Sequence, residues 1–296
     1  MSLRSLFLLP LTCLVLAAAG IPSEDLAAAR SLYEARKLAE AQAAFEKLAA
    51  TDPKHPEVNH YLGQLANRRD DPDKAVKYFE AAVAAEPNVA RHHHGLGDAY
   101  GRSAQKAGML SKFGLAKKCL AAYQRAVELG PDTIEFRQSL FEYYRQAPGM
   151  AGGGFDKAAA QAEAIKKLDT LRGRIAFATL YAGEKQYDRA FAEFDEVLKA
   201  SPDDYAALYQ VGRLAAMTGQ NVDRGVTSLR RCLELPAPTA PNLPGHAAAQ
   251  WRLGQLLEKK KDLAGARVAF EAAVKLDPNF TPASEALRKL NAQRNG

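Results

Sequence analysis

The chain has 296 residues, and 47% of them are hydrophobic, which is enough to bury a substantial core. The formal net charge is only +6, and acidic and basic side chains are interleaved, so the charge does not indicate a nucleic-acid partner. Alanine, leucine, lysine, glutamate and arginine dominate, while runs of β-branched residues are nearly absent. This composition predicts an all-α protein.

The first 19 residues predict a secretory signal peptide. Arg4 supplies a positive charge, residues 6–16 are almost continuously apolar, and residues 17–19 form a small-residue cleavage signal. The apolar stretch is shorter than the roughly 20 residues of a membrane-spanning helix, so cleavage near Ala19 is expected, with retention as an anchor as the alternative. Cleavage removes Arg4 and no acid, which lowers the net charge from +6 to +5. We therefore expect an exported protein, located in the periplasm.

Two segments of the chain, 73–87 and 263–278, repeat one pattern of small, aromatic and apolar residues that ends in proline. A Leu-Gly pair lies upstream of each segment, at Leu62-Gly63 and at Leu253-Gly254. Residues three and four apart share a helix face, so each segment is predicted to be the second helix of a helix-turn-helix unit. The unit is about 34 residues long and resembles the tetratricopeptide repeat.

The residues that carry this resemblance alternate in size between the two helices. They are Leu62, Gly63, Ala66, Ala75, Phe79, Ala82 and Pro87 in one copy and Leu253, Gly254, Leu257, Ala266, Phe270, Ala273 and Pro278 in the other. Small residues let adjacent helices approach, while a large side chain fills the gap between them. One unit cannot bury its apolar face alone, so stacked neighbours are expected to share a continuous core.

Five further copies with a weaker pattern complete the chain. In order, the seven repeats are expected at about 22–55, 56–89, 90–133, 134–170, 171–204, 205–246 and 247–280, followed by a capping helix at 282–293. The resemblance implies a single array over 22–296, wound as a right-handed superhelix (an α-solenoid) with a concave groove. Cys119 and Cys232 lie on apolar helix faces of this array, which predicts buried free thiols.

Individual residues mark the ends of the predicted helices. Asp73, Asp188 and Asp262 stand where second helices begin, and a carboxylate there can accept the free amide hydrogens of the first turn. Proline biases the residue before it away from helical geometry, which predicts where four second helices end. These prolines are Pro53, Pro87, Pro202 and Pro278.

Two insertions interrupt the regular pattern. Residues 101–118 place Met109 and Phe113 at helical spacing, which predicts a lengthened second helix packed on its own array; a helix at a partner or membrane surface is the alternative. The glycine-rich segment 148–154 runs into a helix N-terminus. Because no Gly-Lys-Ser or Gly-Lys-Thr follows it, a structured loop is expected in preference to an anion-binding loop.

His92, His93 and His94 form the only cluster that suggests a metal site, with His60 as a further member. Consecutive helical side chains point in different directions, so the three cannot chelate one ion from a regular helix. We therefore expect no metal and no cofactor, and a metal or small-ligand carrier stays the alternative. The sequence contains no serine-hydrolase elbow, no H-E-x-x-H and no C-x-x-C, which predicts a protein that is not an enzyme.

In the tetratricopeptide fold, the groove is lined by the residue two before the Leu and by the residues one and four after the Gly. The resemblance therefore implies that the groove is formed by Arg30, Tyr33, His60, Gln64, Asn67, His94, Asp98, Gln138, Glu142, Arg145, Tyr209, Arg213, Trp251 and Gln255. Most are polar or aromatic, which is typical of a peptide-holding surface. Alternatively, some of them coat an unused concave side.

The hypothesis that follows is an exported, non-enzymatic scaffold that binds a peptide or a helix of a partner protein in its groove. One alternative is a metal or small-ligand carrier that uses His60 and His92 to His94. Another is an envelope assembly factor that contacts a membrane surface through the insertion at 101–118.

Overall fold

The structure is a computed structural model that describes residues 21–239 and 243–292. Within these ranges the chain forms fifteen α-helices and one short 3-10 helix, and no β-strand. The predicted all-α fold of about seven helix pairs and a final capping helix is confirmed. The predicted signal peptide at 1–19 lies outside the described residues.

The helices group into two compact units, one ending at Leu129 and the other beginning at Gly130. The first unit contains α1 (Ser23–Glu34), α2 (Leu38–Thr51), α3 (Pro56–Arg68), α4 (Pro72–Ala85), α5 (Ala90–Lys106) and α6 (Met109–Leu129). The second unit contains α7 (Ile134–Gln146), α8 (Phe155–Leu168), α9 (Thr170–Gly183), α10 (Tyr187–Ala200), α11 (Tyr205–Thr218), α12 (Val222–Glu234), α13 (His246–Lys259), α14 (Leu263–Leu276) and α15 (Thr281–Ala292), with the 3-10 helix Gly149–Ala151 between α7 and α8.

Within each unit the two helices of a repeat pack against each other, and each second helix packs on the first helix of the next repeat. First helices of successive repeats also touch: α3 contacts α5 in the first unit, and α11 contacts both α9 and α13 in the second. These first helices therefore lie side by side and form a common surface within their unit.

Glycine on a first helix gives an aromatic ring of a second helix room to pack. A Cβ added at Gly63 would lie 2.8 Å from Cε2 of Phe79, and one added at Gly95 would meet the same ring from the next repeat. The ring of Phe79 is fully buried between these two glycines. Gly254 and Phe270 repeat this relationship in the second unit, so the predicted pairing of small and large residues is confirmed.

The four prolines end their helices as predicted. Helices α2, α4, α10 and α14 each stop two residues before one of them, and the residue preceding each proline has a φ between −132° and −144°. The predicted thiols are also confirmed, since Cys119 and Cys232 are both free and buried.

Of the three predicted helix caps, only Asp262 caps a helix, because its Oδ1 accepts a hydrogen bond of 2.9 Å from the backbone N–H of Gly265. The prediction was wrong for Asp73: helix α4 starts at Pro72, and Asp71 before it accepts the bond from Lys74. It was also wrong for Asp188, which lies inside the first turn of α10, while Gln186 holds the position before that helix. In both places the helix begins earlier than the spacing of the repeat suggested.

The insertion in the third repeat lengthens α6, as expected, but the start of that helix does not pack on the array. Met109 is 80% exposed and Phe113 is 40% exposed, whereas Cys119 and Ala122 further along are buried. Because α6 packs chiefly along α5, one neighbour covers only one face of its first turns. No helix in residues 21–239 and 243–292 combines the length and apolar character that crossing a membrane requires.

The glycine-rich segment 148–154 is a structured loop, as predicted. The backbone N–H of Gly153 donates to the carbonyl of Pro148, and that of Gly154 donates to the carbonyl of Tyr144. Gly152 and Gly154 have positive φ values, 91° and 149°, which a side chain would disfavour. Since these amides are bonded within the loop, they do not form a cradle for an anion.

Candidate functional site

In the first unit, the surface made by α3 and α5 contains a row of hydrogen-bonded side chains that begins at Gln64. Its amide nitrogen lies 3.0 Å from Nε2 of His60, and Nδ1 of His60 lies 3.1 Å from Nδ1 of His92. His92, which is fully buried, places its Nε2 3.1 Å from a carboxylate oxygen of Glu86. Burial, together with the positive charge that His92 and Arg91 would contribute, lowers the pKa of His60 to about 3. His60 is therefore a neutral, packed residue of the repeat, and burial lowers the pKa of His92 as well.

The three consecutive histidines diverge, as their helical spacing predicted. His93 bonds through Nε2 to the carbonyl of Pro87 at 2.8 Å, and the ring of His94 lies 5.8 Å from that of Tyr123. His60 pairs with His92. In the part of the chain that the structure describes, no three His, Cys, Asp or Glu side chains come together as a set of metal ligands.

The other groove candidates of the first unit are mostly engaged in contacts with neighbouring helices. Arg30 forms an ion pair of 3.3 Å with Glu57, and the hydroxyl of Tyr33 accepts a bond of 3.1 Å from Arg68. Asp98 accepts a hydrogen bond of 2.7 Å from the hydroxyl of Tyr123, whose pKa is raised chiefly by burial.

Asn67 differs from these residues, because its Oδ1 is buried and has no hydrogen-bond partner within residues 21–239 and 243–292. A buried carbonyl without a partner costs free energy, about 1–3 kcal/mol, which a donor from outside the chain would recover. The side chain lies on α3, one turn from Gln64.

The second unit contains an open cavity of about 590 Å³ formed by the first helices α7, α9 and α11, with α10 at its base. Three groove candidates line it: Glu142, Arg145 and Arg213. The rest of the wall is formed by residues outside the predicted set, namely Ile175, Ala178, Thr179, Ala182, Gly183, Tyr187, Phe194, Gln210, Leu214, Met217 and Thr218. The volume is in the range of ligand-binding clefts, and the lining combines apolar and polar side chains.

Charges in the cavity are unevenly paired. Arg145 and Glu142 form an ion pair of 2.6 Å, so their charges compensate each other. Arg213 bonds to the neutral amide oxygen of Gln210 at 3.2 Å, and its pKa is lowered by burial and by the positive charge of Arg252. The site therefore carries an excess of positive charge at Arg213.

Next to the cavity, α13 continues the same surface with Trp251, Arg252 and Gln255. The guanidinium of Arg252 lies 4.0 Å from the centre of the Trp251 ring and donates to the amide oxygen of Gln255 at 2.9 Å. The half-buried Trp251 ring also meets the ring of Phe280 edge to face, with the two centres 5.6 Å apart. Trp251 therefore packs between neighbouring elements and still exposes part of its ring.

The remaining two candidates lie apart from this site. Tyr209 is only 5% exposed and belongs to the hydrophobic core of the second unit, where it packs with residues of neighbouring helices. Gln138 is exposed near the start of α7 and does not line the cavity.

Gln210 and Arg252 were not predicted as site residues. Each stands immediately before an apolar residue and its glycine, Val211-Gly212 in one repeat and Leu253-Gly254 in the other. A usable signal was present: at this position the sixth and seventh repeats carry a polar side chain, whereas the second carries Tyr61. The rule taken from the family pattern did not include that position.

Comparison with known proteins gives relatives of the same architecture. The chain is 22% identical over 192 residues to the human mitochondrial import receptor subunit TOM70, matching 64% of this chain and about a quarter (25%) of that protein's length. A tetratricopeptide repeat protein of Parabacteroides merdae superimposes with a TM-score of 0.60 at 16% identity, covering 90% of this chain and 97% of that one. Yeast Tom70 superimposes with a TM-score of 0.62 at 16% identity, covering 88% of this chain and 52% of that one. At these identities the similarity shows a shared fold.

Family models of the tetratricopeptide repeat match residues 26–90, 62–103 and 175–233, and a further one matches residues 247–280. Together the matches cover more than half of the chain and include the two copies in which the sequence pattern is strongest. Repeats of this kind present extended surfaces to other proteins and are typically not catalytic. The chain belongs to the tetratricopeptide repeat family.

Proposed function

We propose that this chain is a non-enzymatic scaffold that holds a partner protein by a peptide or a helix docked on the first-helix surface of its second unit. The observation that carries the proposal is the cavity of about 590 Å³ between α7, α9 and α11. It is formed by the helices that line the binding surface of repeat proteins, and apolar and charged side chains share its wall. The similarity to an import receptor subunit agrees with a protein partner.

Met217 gives this proposal a direct test, because it lines the cavity and yet 58% of it is exposed. A photo-reactive amino acid placed at position 217 is expected to cross-link the partner in the native cell as one discrete adduct. The matched control is position 268, where Val268 is 66% exposed on the second helix α14. The proposal fails if adducts form equally at both positions, or only at position 268.

We also propose that the scaffold works outside the cytoplasm, in the periplasm, after loss of residues 1–19. The support is the sequence of that segment, with its single positive charge, apolar run and small-residue end. Sequencing the N-terminus of the protein recovered from fractionated cells tests this, with a start near residue 20 in the periplasmic fraction as the expected result. An intact N-terminus in the cytoplasmic fraction would contradict it.

A second function, contact with a membrane surface, is favoured by the exposed Met109 and Phe113 at the start of α6. Lys112 lies beside them on the same helix and would face anionic headgroups. Co-sedimentation with anionic vesicles, lost on changing Met109 and Phe113 to Ser, would support this role. Absence of a lipid-bound fraction would eliminate it.

A further inference from the structure

Arg213, which lines the cavity, and Arg252, on the neighbouring helix α13, have no carboxylate partner among the residues that the structure describes. They lie on the contacting helices α11 and α13, and both side chains are half-buried. Each guanidinium has a neutral partner, the amide oxygen of Gln210 in one case and that of Gln255 in the other. Among the described residues neither arginine takes part in an ion pair, whereas Arg145 in the same cavity does.

Arg252 also has an unused donor. Its Nε is buried and has no hydrogen-bond acceptor among the described residues. An unpaired N–H of a charged group is costly when it is buried, and the cost grows where a second positive charge stands nearby. A carboxylate brought to the pair would compensate its positive charge, because a guanidinium binds a carboxylate through two parallel hydrogen bonds.

The surroundings of the pair define what else the ligand must carry. Arg213 lines the cavity together with the apolar Ile175, Leu214 and the exposed Met217. On the α13 side, the Trp251 ring holds the guanidinium of Arg252 against its face. A ligand that fits both parts has a carboxylate next to an apolar side chain, on a chain extended enough to pass from α9 to α13.

We infer that the cavity of the second unit receives an acidic, extended segment of a partner protein, in which an Asp or Glu side chain bonds to Arg213 and Arg252 and a neighbouring apolar side chain enters beside Met217. The inference rests on the proposed scaffold function and adds the chemistry of the partner. The carboxylate is assigned to a side chain and not to a chain terminus, since the first-helix surface continues from the arginines through α11 to α9.

The inference can be tested with the full chain and a display library of random 12-residue peptides fused at both ends, so that no peptide has a free terminus. The selected binders are expected to place Asp or Glu next to an apolar residue. Synthetic copies, acetylated and amidated, are then titrated while the fluorescence of Trp251, the single tryptophan, is followed. Replacing the acid by its amide is expected to weaken binding by about tenfold or more.

Three variants locate the carboxylate. Arg213→Gln and Arg252→Gln are each expected to lower the affinity by about tenfold and to remove the preference for acid over amide. Arg231→Gln is the matched control, because Arg231 is exposed on α12, pairs with Asp203 and Glu234 and lies outside the cavity. It is expected to bind like the wild type. Circular dichroism of each variant establishes that it is folded.

The outcomes separate this inference from the function on which it rests. Binders without acidic residues that compete at Met217 would overturn the inference and leave the scaffold function standing. Equal loss of affinity in Arg231→Gln would also overturn the inference. No binders, together with no cross-link at position 217, would overturn both.

Discussion

The Nδ1 atoms of His60 and His92 lie 3.1 Å apart, although the two residues come from the first helices of successive repeats. The amide nitrogen of Gln64 can only donate, so it makes Nε2 of His60 an acceptor and leaves the proton on Nδ1. Nδ1 of His92 then accepts, and its Nε2–H donates to Glu86. The four ring nitrogens act as these donors and acceptors only while both rings are neutral.

This pairing predicts that the first unit loses stability as the pH falls. The pKa of His60 is about 3 in the folded chain and 6.5 ordinarily, so between these values the unfolded chain binds one more proton and stability is lost as pH falls below 6.5. From pH 7.5 to pH 5 the loss from this residue is about 2 kcal/mol. Urea unfolding followed by circular dichroism at both pH values measures it.

The variant His60→Gln is expected to show a weaker dependence of the unfolding free energy on pH, because about one proton fewer is taken up on unfolding. His93→Gln serves as the control, because it removes a histidine of α5, the helix of His92, that bonds to a backbone carbonyl and not to the pair. Equal pH dependence in the wild type and His60→Gln would show that the pair does not titrate as described.

Glycine at position 63 is predicted to be required by the Phe79 ring. Gly63→Ala places a Cβ 2.8 Å from that ring, and Gly95 on the far side leaves the ring no space to withdraw. We expect a loss of about 1–3 kcal/mol in the free energy of unfolding, in spite of alanine's better helix propensity. Urea denaturation of the two proteins measures the difference.

Gly101→Ala is the matched control for this substitution. It also lies in a first helix of the same unit, but its Cβ would meet only Sγ of Cys119, at an ordinary 3.5 Å. There the propensity gain is expected to leave stability unchanged or raised by up to about 1 kcal/mol. Similar effects at positions 63 and 101 would contradict the close approach of Gly63 to Phe79.

Asp262 and Asp188 are predicted to differ in their contribution to stability, although both begin a second helix in the repeat pattern. Asp262→Ala removes the acceptor for the Gly265 N–H and is expected to cost about 1 kcal/mol. Asp188→Ala removes no capping bond, because Gln186 holds the position before α10 and Asp188 lies within the first turn. Thermal unfolding of the two variants makes the comparison, and equal shifts in Tm would refute the assignment of the cap.

The two thiols of the repeat array are predicted to be unreactive in the folded chain. Burial raises the pKa of Cys119 and of Cys232 to about 12, so at pH 8 almost no thiolate is present and the sulfur is covered. The third cysteine, Cys13, lies in the predicted signal peptide and is changed to Ser. Labelling with a disulfide reagent is then expected to be slow in buffer and fast in concentrated urea. Fast labelling in buffer would mean that the helices carrying these residues open.

The family and its repeating core were determined by the sequence itself, because close helix packing requires a small residue opposite a large one, as at Gly63 and Phe79. The helix ends before Pro53, Pro87, Pro202 and Pro278 were equally local, since proline acts on the residue before it. The capping residue Asp71 was missed because its role depends on where α4 begins, and Pro72 moved that start.

Only the tertiary structure decided how the groove candidates are used. The repeat pattern gave His60, Tyr209 and Arg213 similar status, yet His60 is bonded to His92, Tyr209 lies in the core and Arg213 lines an open cavity. Whether a groove candidate is bonded, buried or open to a ligand depends on the side chain that the neighbouring repeat places opposite it. That neighbour is about 34 residues away in the chain, so a pattern within one repeat carries no record of it.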